Sequence, residues 1–291
     1  MKIILILFVF VSLFLSLSIV PTTIACTIFT ASNDETVMFG GNEDQTPNSS
    51  FLVVDNGGTI GVVYFATPWK ERPLVMQMGI NEMGLCYDGN WISKELLNPH
   101  PERKPQFEWA VTQLMREAST VEEVLSKIFT YNWGDSIDYQ IHFADKSGDA
   151  AVIHPGTNGE LTYTRKTKGN GYLISTNFNL AKLDKGNWSS SYSSDRYKTA
   201  DKMLSTIGAK NDLTVEFMAS VLNATHQNMR LKTIYSAVYD LQKLHIYLYY
   251  DRQFDSPYML DVKKELAKTT FRRKVSLTNL IPNRDLNKEK N

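Results

Sequence analysis

The sequence predicts a layered α+β fold, with two antiparallel sheets packed face to face and helices on the outside. Three observations lead there. Consecutive hairpin patterns follow residue 25, the middle of the chain switches to helical periodicity, and strands, helices and strands then alternate. The chain has 291 residues, 43% hydrophobic and 21% charged, enough apolar sequence to bury a sizeable core. Its formal charge of zero gives no reason to expect nucleic acid or an anionic membrane as a partner. No repeat or low-complexity tract divides residues 26–291, so a single domain is expected.

The elements follow in order. Thr27 to Ser32 and Val37 to Gly41 flank the turn Asn33-Asp34-Glu35. Phe51 to Val54 and Ile60 to Phe65 flank Asn56-Gly57-Gly58. Leu74 to Gly79 and Leu85 to Trp91 flank a turn around Asn81 and Gly84. Connections this short make each pair antiparallel. Phe107, Ala110, Val111, Leu114 and Ala118 then keep helical spacing. Thr120 and Glu123 form a capping-box pattern ahead of Val121, Val124, Leu125 and Ile128, so two helices are expected between 106 and 129. Strands resume at Tyr139 to Ala144 and Ala150 to His154. Helices are expected over 194–206 and 214–226, and a last hairpin over Thr233 to Tyr239 and Leu244 to Tyr250. The polar tail, 276–291, is expected to fray.

Residues 1–25 differ from the rest. Lys2 is their only charge, Ile3 to Val20 is almost unbroken apolar sequence, and small residues stand at Thr23 and Ala25. This reads as a secretory signal peptide ending at Ala25, which makes the mature protein secreted or extracytoplasmic. Two alternatives stand beside it. The segment could be retained as a membrane anchor, since about 18 apolar residues just span a bilayer, or Cys26 could be acylated as in a lipoprotein. Either would confine membrane contact to the N-terminus.

Only Cys26 and Cys86 are present, too few for a disulfide-held fold, and Cys86 reads as a buried free thiol. Cleavage after Ala25 makes Cys26 the first residue. A terminal Cys needs no histidine. Its thiolate is the nucleophile, and its α-amine, of pKa about 7.7–8.0, can take the thiol proton. The five histidines show no ligand or triad spacing, and no metal or cofactor is expected. Asp44 ends the second strand of the first hairpin, which folds it back beside Cys26, where a carboxylate could order the amine. Asn90 and Asn177 each end a strand and could donate N–H groups to an oxyanion. Each of the three is as readily a turn or capping residue. Tyr64, Trp69 and Trp91 suggest an aromatic lining for an acyl group, with a place in the core as the alternative.

Taken together and in order, these segments resemble the choloylglycine hydrolase and penicillin V acylase family of N-terminal nucleophile (Ntn) hydrolases. The similarity runs through Cys26-Thr27, Phe39-Gly40-Gly41-Asn42-Glu43-Asp44, Gly79-Ile-Asn81-Glu82-Met-Gly84-Leu85, Asp145-Lys-Ser-Gly-Asp149, Ser175-Thr176-Asn177-Phe178, Ser193-Ser194-Asp195-Arg196-Tyr197 and Thr233-Ile-Tyr235-Ser-Ala-Val238-Tyr-Asp240. The resemblance implies a four-layer αββα sandwich and hydrolysis of carbon–nitrogen bonds in linear amides other than peptides. It implies Cys26 as nucleophile and base, Asp44 as the group orienting the amine, and Asn177 as oxyanion or substrate donor. Arg196 would be the arginine near the nucleophile, and Asn90 would fall at the oxyanion position. The partner it implies is a small-molecule N-acyl amide, with a homo-oligomer left open. One departure stands out: Gly41 occupies the position of the family's arginine, and Gln45 that of an aromatic. Acyl transfer from the same acyl-Cys26, or binding of an acylated ligand without catalysis, are the alternatives.

Overall fold

A computed structural model of the protein describes residues 26–45, 49–69, 72–105, 109–183, 191–208, 212–228 and 231–281. Residues 1–25, read above as a signal peptide, Phe107 and the tail from 282 lie outside the described residues.

Among the described residues, fourteen strands form two antiparallel sheets. The first contains β1 (Thr27–Ser32), β2 (Val37–Gln45), β10 (Gly171–Ser175), β11 (Lys232–Asp240), β12 (His245–Tyr250) and β13 (Tyr258–Asp261), in the order β10-β1-β2-β11-β12-β13. The second contains β3 (Phe51–Asp55), β4 (Val62–Trp69), β5 (Arg72–Asn81), β6 (Cys86–Leu96), β7 (Ser136–Ala144), β8 (Ala150–Pro155), β9 (Leu161–Lys166) and β14 (Arg272–Ser276). Its order is β14-β3-β4-β5-β6-β7-β8-β9, so strands β3 to β9 lie side by side in chain order, joined by short turns except between β6 and β7, where two helices intervene.

Alternation along each strand sorts the side chains into layers. Val37 and Phe39 of β2 join Leu52, Phe65, Met78 and Tyr235 in a core between the sheets. Phe29 and Met38 face outward, under α3 (Tyr192–Leu204) and α4 (Val215–Thr225). On the far side, Tyr64, Tyr87 and Phe143 pack under α1 (Ala110–Met115) and α2 (Val121–Ile128). The result is the expected αββα sandwich.

Helix starts follow local chemistry. Thr120 accepts from the Glu123 N–H at 3.2 Å, but the Glu123 carboxylate reaches the N–H of Ser119 and not that of Thr120, so the anticipated capping box is only half made. A complete one precedes α3, where Ser191 and Ser194 exchange side-chain bonds. The chain beyond residue 276 departs from expectation. Leu277 of α6 (Leu277–Leu280) is fully buried and Ile281 nearly so in the inter-sheet core, so the described start of that tail is docked, not frayed.

Candidate active site

The β1–β2 register aligns Thr27 with Asn42, which sets Cys26 beside Glu43 at the open end of the hairpin. Alternation turns Gly41 and Glu43 toward the second sheet and Asn42 and Asp44 toward the helices, where the Asn42 amide donates to the Leu222 carbonyl of α4. Asp88 and Asn90 of β6 face them across the inter-sheet layer. The hairpin and β6 together therefore enclose Cys26, which is 1% exposed.

Four of the five predicted catalytic residues converge with Cys26. Its carbonyl oxygen accepts from Arg196 Nη1 at 2.8 Å and from Asn90 Nδ2 at 3.2 Å. Arg196 Nη1 also donates to Thr27 Oγ1 at 2.6 Å, and Nη2 donates to Asn177 Oδ1 at 2.7 Å. Asn177 Nδ2 donates to the Trp91 carbonyl at 2.9 Å. Asp44 lies 3.8 Å from Arg196 Nη1, accepts from Gln227 Nε2 at 2.8 Å, and accepts a short bond from the Thr233 hydroxyl. Gln140 holds the Thr176–Phe178 turn by bonds to both carbonyls, 2.8 and 3.0 Å. Asn90 is thus in direct contact with Cys26, whereas Asn177 reaches it through Arg196.

The two described aromatic candidates sit elsewhere. Tyr64 is fully buried beneath α1 and directs its hydroxyl to the Thr112 carbonyl at 3.3 Å. Trp91 pairs with Tyr139 and alternates onto the face of Tyr87, away from Asp88 and Asn90. Both lie on the face of the second sheet opposite Cys26, because the strand register, which one sequence position inverts, decides the face. Trp69 ends β4, and its side chain lies outside what is described.

The electrostatics around Cys26 are anionic. Burial pushes the thiol well above its ordinary value, and Glu43, Asp88 and Asp44 push it further; the Asp44 backbone N–H works the other way. Burial also raises Glu43, reinforced by Asp88 and Asp44, while a hydrogen bond from the Cys26 thiol lowers it. Glu43 Oε1 accepts from Gln77 Nε2 at 2.6 Å. Burial raises Asp88 too, against one bond from the Gly89 N–H at 2.7 Å. Asp44 is held at about 6: burial raises it, and Arg196, Thr233 and Gln227 pull it back.

Glu43, Asp88, Gln227 and Thr233 were not among the predicted site residues. The alternation that turns Asp44 toward the helices turns Glu43 toward Cys26, a signal present in the hairpin pattern. The histidines play no part at the thiol. His142 is buried between Thr30 Oγ1 and Ser175 Oγ, and burial depresses it to about 3, so it is a neutral strut. Cys86 is a free thiol in the inter-sheet core. Among the described residues, no three His, Cys, Asp or Glu side chains are grouped to hold a metal ion.

Solved structures share the αββα sandwich. One variant of the conjugated bile acid hydrolase from Clostridium perfringens aligns with TM-score 0.64 at 15% identity, covering 90% of this chain and 100% of its own. A second variant gives 0.63 at 15%, covering 86% and 96%. Penicillin V acylase from Agrobacterium tumefaciens gives 0.60 at 16%, covering 87% and 92%. No curated protein sequence matches the chain. The model of the acyl-coenzyme A:6-aminopenicillanic acid acyl-transferase family matches residues 30–255, and the chain belongs to that family.

Proposed function

We propose that the protein is a secreted cysteine amidohydrolase, one that cleaves a linear N-acyl amide through a thioester on Cys26. The observation that carries this reading is the convergence of Asn90, Arg196 and, behind them, Asp44 and Asn177 on the residue that signal-peptide cleavage would free. Burial and the nearby carboxylates favour the neutral thiol, so proton removal accompanies attack. The freed α-amine takes the thiol proton as sulfur bonds to the substrate carbonyl carbon. Asn90, whose amide already reaches the Cys26 carbonyl, donates to the oxyanion, and loss of such a donor costs about 3 kcal/mol in the barrier. The carbonyl re-forms, the carbon–nitrogen bond breaks, and the departing amine takes the proton back. Water then attacks the thioester and releases the acid and the thiol.

Mass spectrometry of the secreted protein tests the first step: the mature mass should begin at Cys26, and any other start removes the base. Cys26→Ala should abolish turnover in a screen of N-acyl amides, and retained activity would reject the assignment. Acyl transfer is a second reading, favoured by the acyl-transferase description of the family that the chain belongs to. Adding an amine acceptor separates the two, since a transferase forms the new amide in place of the free acid.

A further inference from the structure

With no side chain at Gly41, the described residues place no cation on the inter-sheet face of the thiol. A Cβ built on Gly41 would lie 2.4 Å from Asp88 Oδ2 and 2.6 Å from Met78 Cε. A carboxylate therefore stands where the resemblance places the root of an arginine, and the sign of the local charge is inverted. Glu43, one strand position from Asn42, adds a second carboxylate on the same face and bonds the thiol itself.

The charges do not balance. Glu43, Asp44 and Asp88 are three carboxylates, all at most 2% exposed, and among the described residues the buried guanidinium of Arg196 is the cation that accompanies them. A free α-ammonium on Cys26 would still leave one negative charge uncompensated, an arrangement that buried sites avoid by taking up a proton or a counter-cation. Asp44 already has Thr233, Gln227 and Arg196 around it. The deficit lies with Asp88 and Asn90. Asp88 Oδ2 and Asn90 Oδ1 have no hydrogen-bond partner among the described residues, and both residues are fully buried. Both unpaired atoms are acceptors, on neighbouring inward positions of β6. No three ligands are grouped for a metal there. An alkylammonium brings three donors and one positive charge.

We propose that Glu43, Asp88 and Asn90 form an anionic subsite beside Cys26, and that it holds a protonated amine of the substrate close to the scissile amide. Met78, an unbranched and adaptable side chain, is the wall that yields to it. Burial favours the protonated form of Glu43 and Asp88, and an incoming ammonium favours their ionised form, the proton passing to water. This deepens the amidohydrolase reading and rests on it for the position of the scissile bond.

Matched substrates test it. Glycyl and β-alanyl amides place an ammonium in the acyl group; propionyl and butyryl amides replace that ammonium with a methyl. A second series places the ammonium, or its methyl isostere, in the leaving amine. The cationic member of one series should be favoured at least about tenfold in kcat/KM, as expected for a charge-assisted contact, and the favoured series names the side that carries the charge. Glu43→Gln, and independently Asp88→Asn, should bring the ratio toward unity, with circular dichroism confirming the fold. Equal or better turnover of both neutral series, still dependent on Cys26, would overturn the subsite and leave the amidohydrolase reading standing. If no amide is cleaved, that reading fails, and calorimetry on Cys26→Ala protein decides the subsite separately. β-Alaninamide should bind and butyramide should not, and binding that ignores Glu43→Gln overturns the proposal.

Discussion

At the scale of single residues, Arg196 and Gly41 divide the work around the thiol. Arg196 is buried and spreads its guanidinium over the Cys26 carbonyl, Thr27 and Asn177, with Asp44 close by; burial lowers its pKa, and the Asp44 carboxylate holds it up. It acts on the backbone side of Cys26. Gly41 acts by what it lacks, since its bare backbone lets Asp88 and Met78 close over it. Gly41→Ala should therefore destabilise the protein by about 1–3 kcal/mol, the usual cost of overpacking, despite the roughly 0.5–1 kcal/mol that a strand gains on losing a glycine. The urea midpoint measures this, and an unchanged or higher midpoint would show that Asp88 yields freely.

At the scale of elements, the site depends on one helix being set down in register. Helix α3 must bring Arg196 over the start of β1, and its N-terminus is fixed by the Ser191–Ser194 capping box, with bonds of 3.2 Å and 3.0 Å. Ser193 adds a bond to Thr176 at 3.1 Å, which joins the helix to the turn that carries Asn177. Ser191→Ala should cost about 1 kcal/mol, the typical loss for a helix cap. A thermal or urea melt reads the loss directly, and an unchanged midpoint would assign the positioning of α3 to its packed face alone. The sheet supplies the second half of the alignment: β10 pairs with β1 from Ile28↔Ser175 onward and delivers Asn177 just beyond its end.

At the scale of the whole molecule, the unusual feature is acid buried between two sheets. Glu43 and Asp88 titrate above the ordinary carboxylate range in the folded protein. A carboxylate with a raised folded pKa contributes stability below its unfolded pKa of about 4 and loses that contribution as pH rises through the folded value. His142 has the opposite sign. Its folded value of about 3 lies below the unfolded one, so its share grows as pH rises. A comparison of variants removes the opposing terms. Asp88→Asn should gain on the parent protein steadily as pH rises from about 5 to about 8. Chemical denaturation across that range is the measurement, and a constant difference would mean that Asp88 ionises in the fold as it does in the unfolded chain.

The sequence determines most of the strand pairing, because hairpins are local. Turn residues and alternation placed β1 to β8 and the β11–β12 hairpin before any long-range contact was known, and helical spacing placed α1 to α4. It also marks Cys26, Asp44, Asn90, Asn177 and Arg196 through motifs spaced along the chain. It misses β9, β13 and β14, short outer strands whose half-exposed residues carry little hydrophobic pattern. The tertiary structure alone assigns faces and neighbours. Tyr64 and Trp91 look like pocket residues in sequence and are turned to the far side of their sheet by register. Asp88, within the expected strand Leu85 to Trp91 and unremarked in sequence, stands against Gly41, nearly fifty positions away. Local physics sets which residues pair along a strand, whereas packing two sheets together sets which charges meet. Charge around the thiol is a property of that packing.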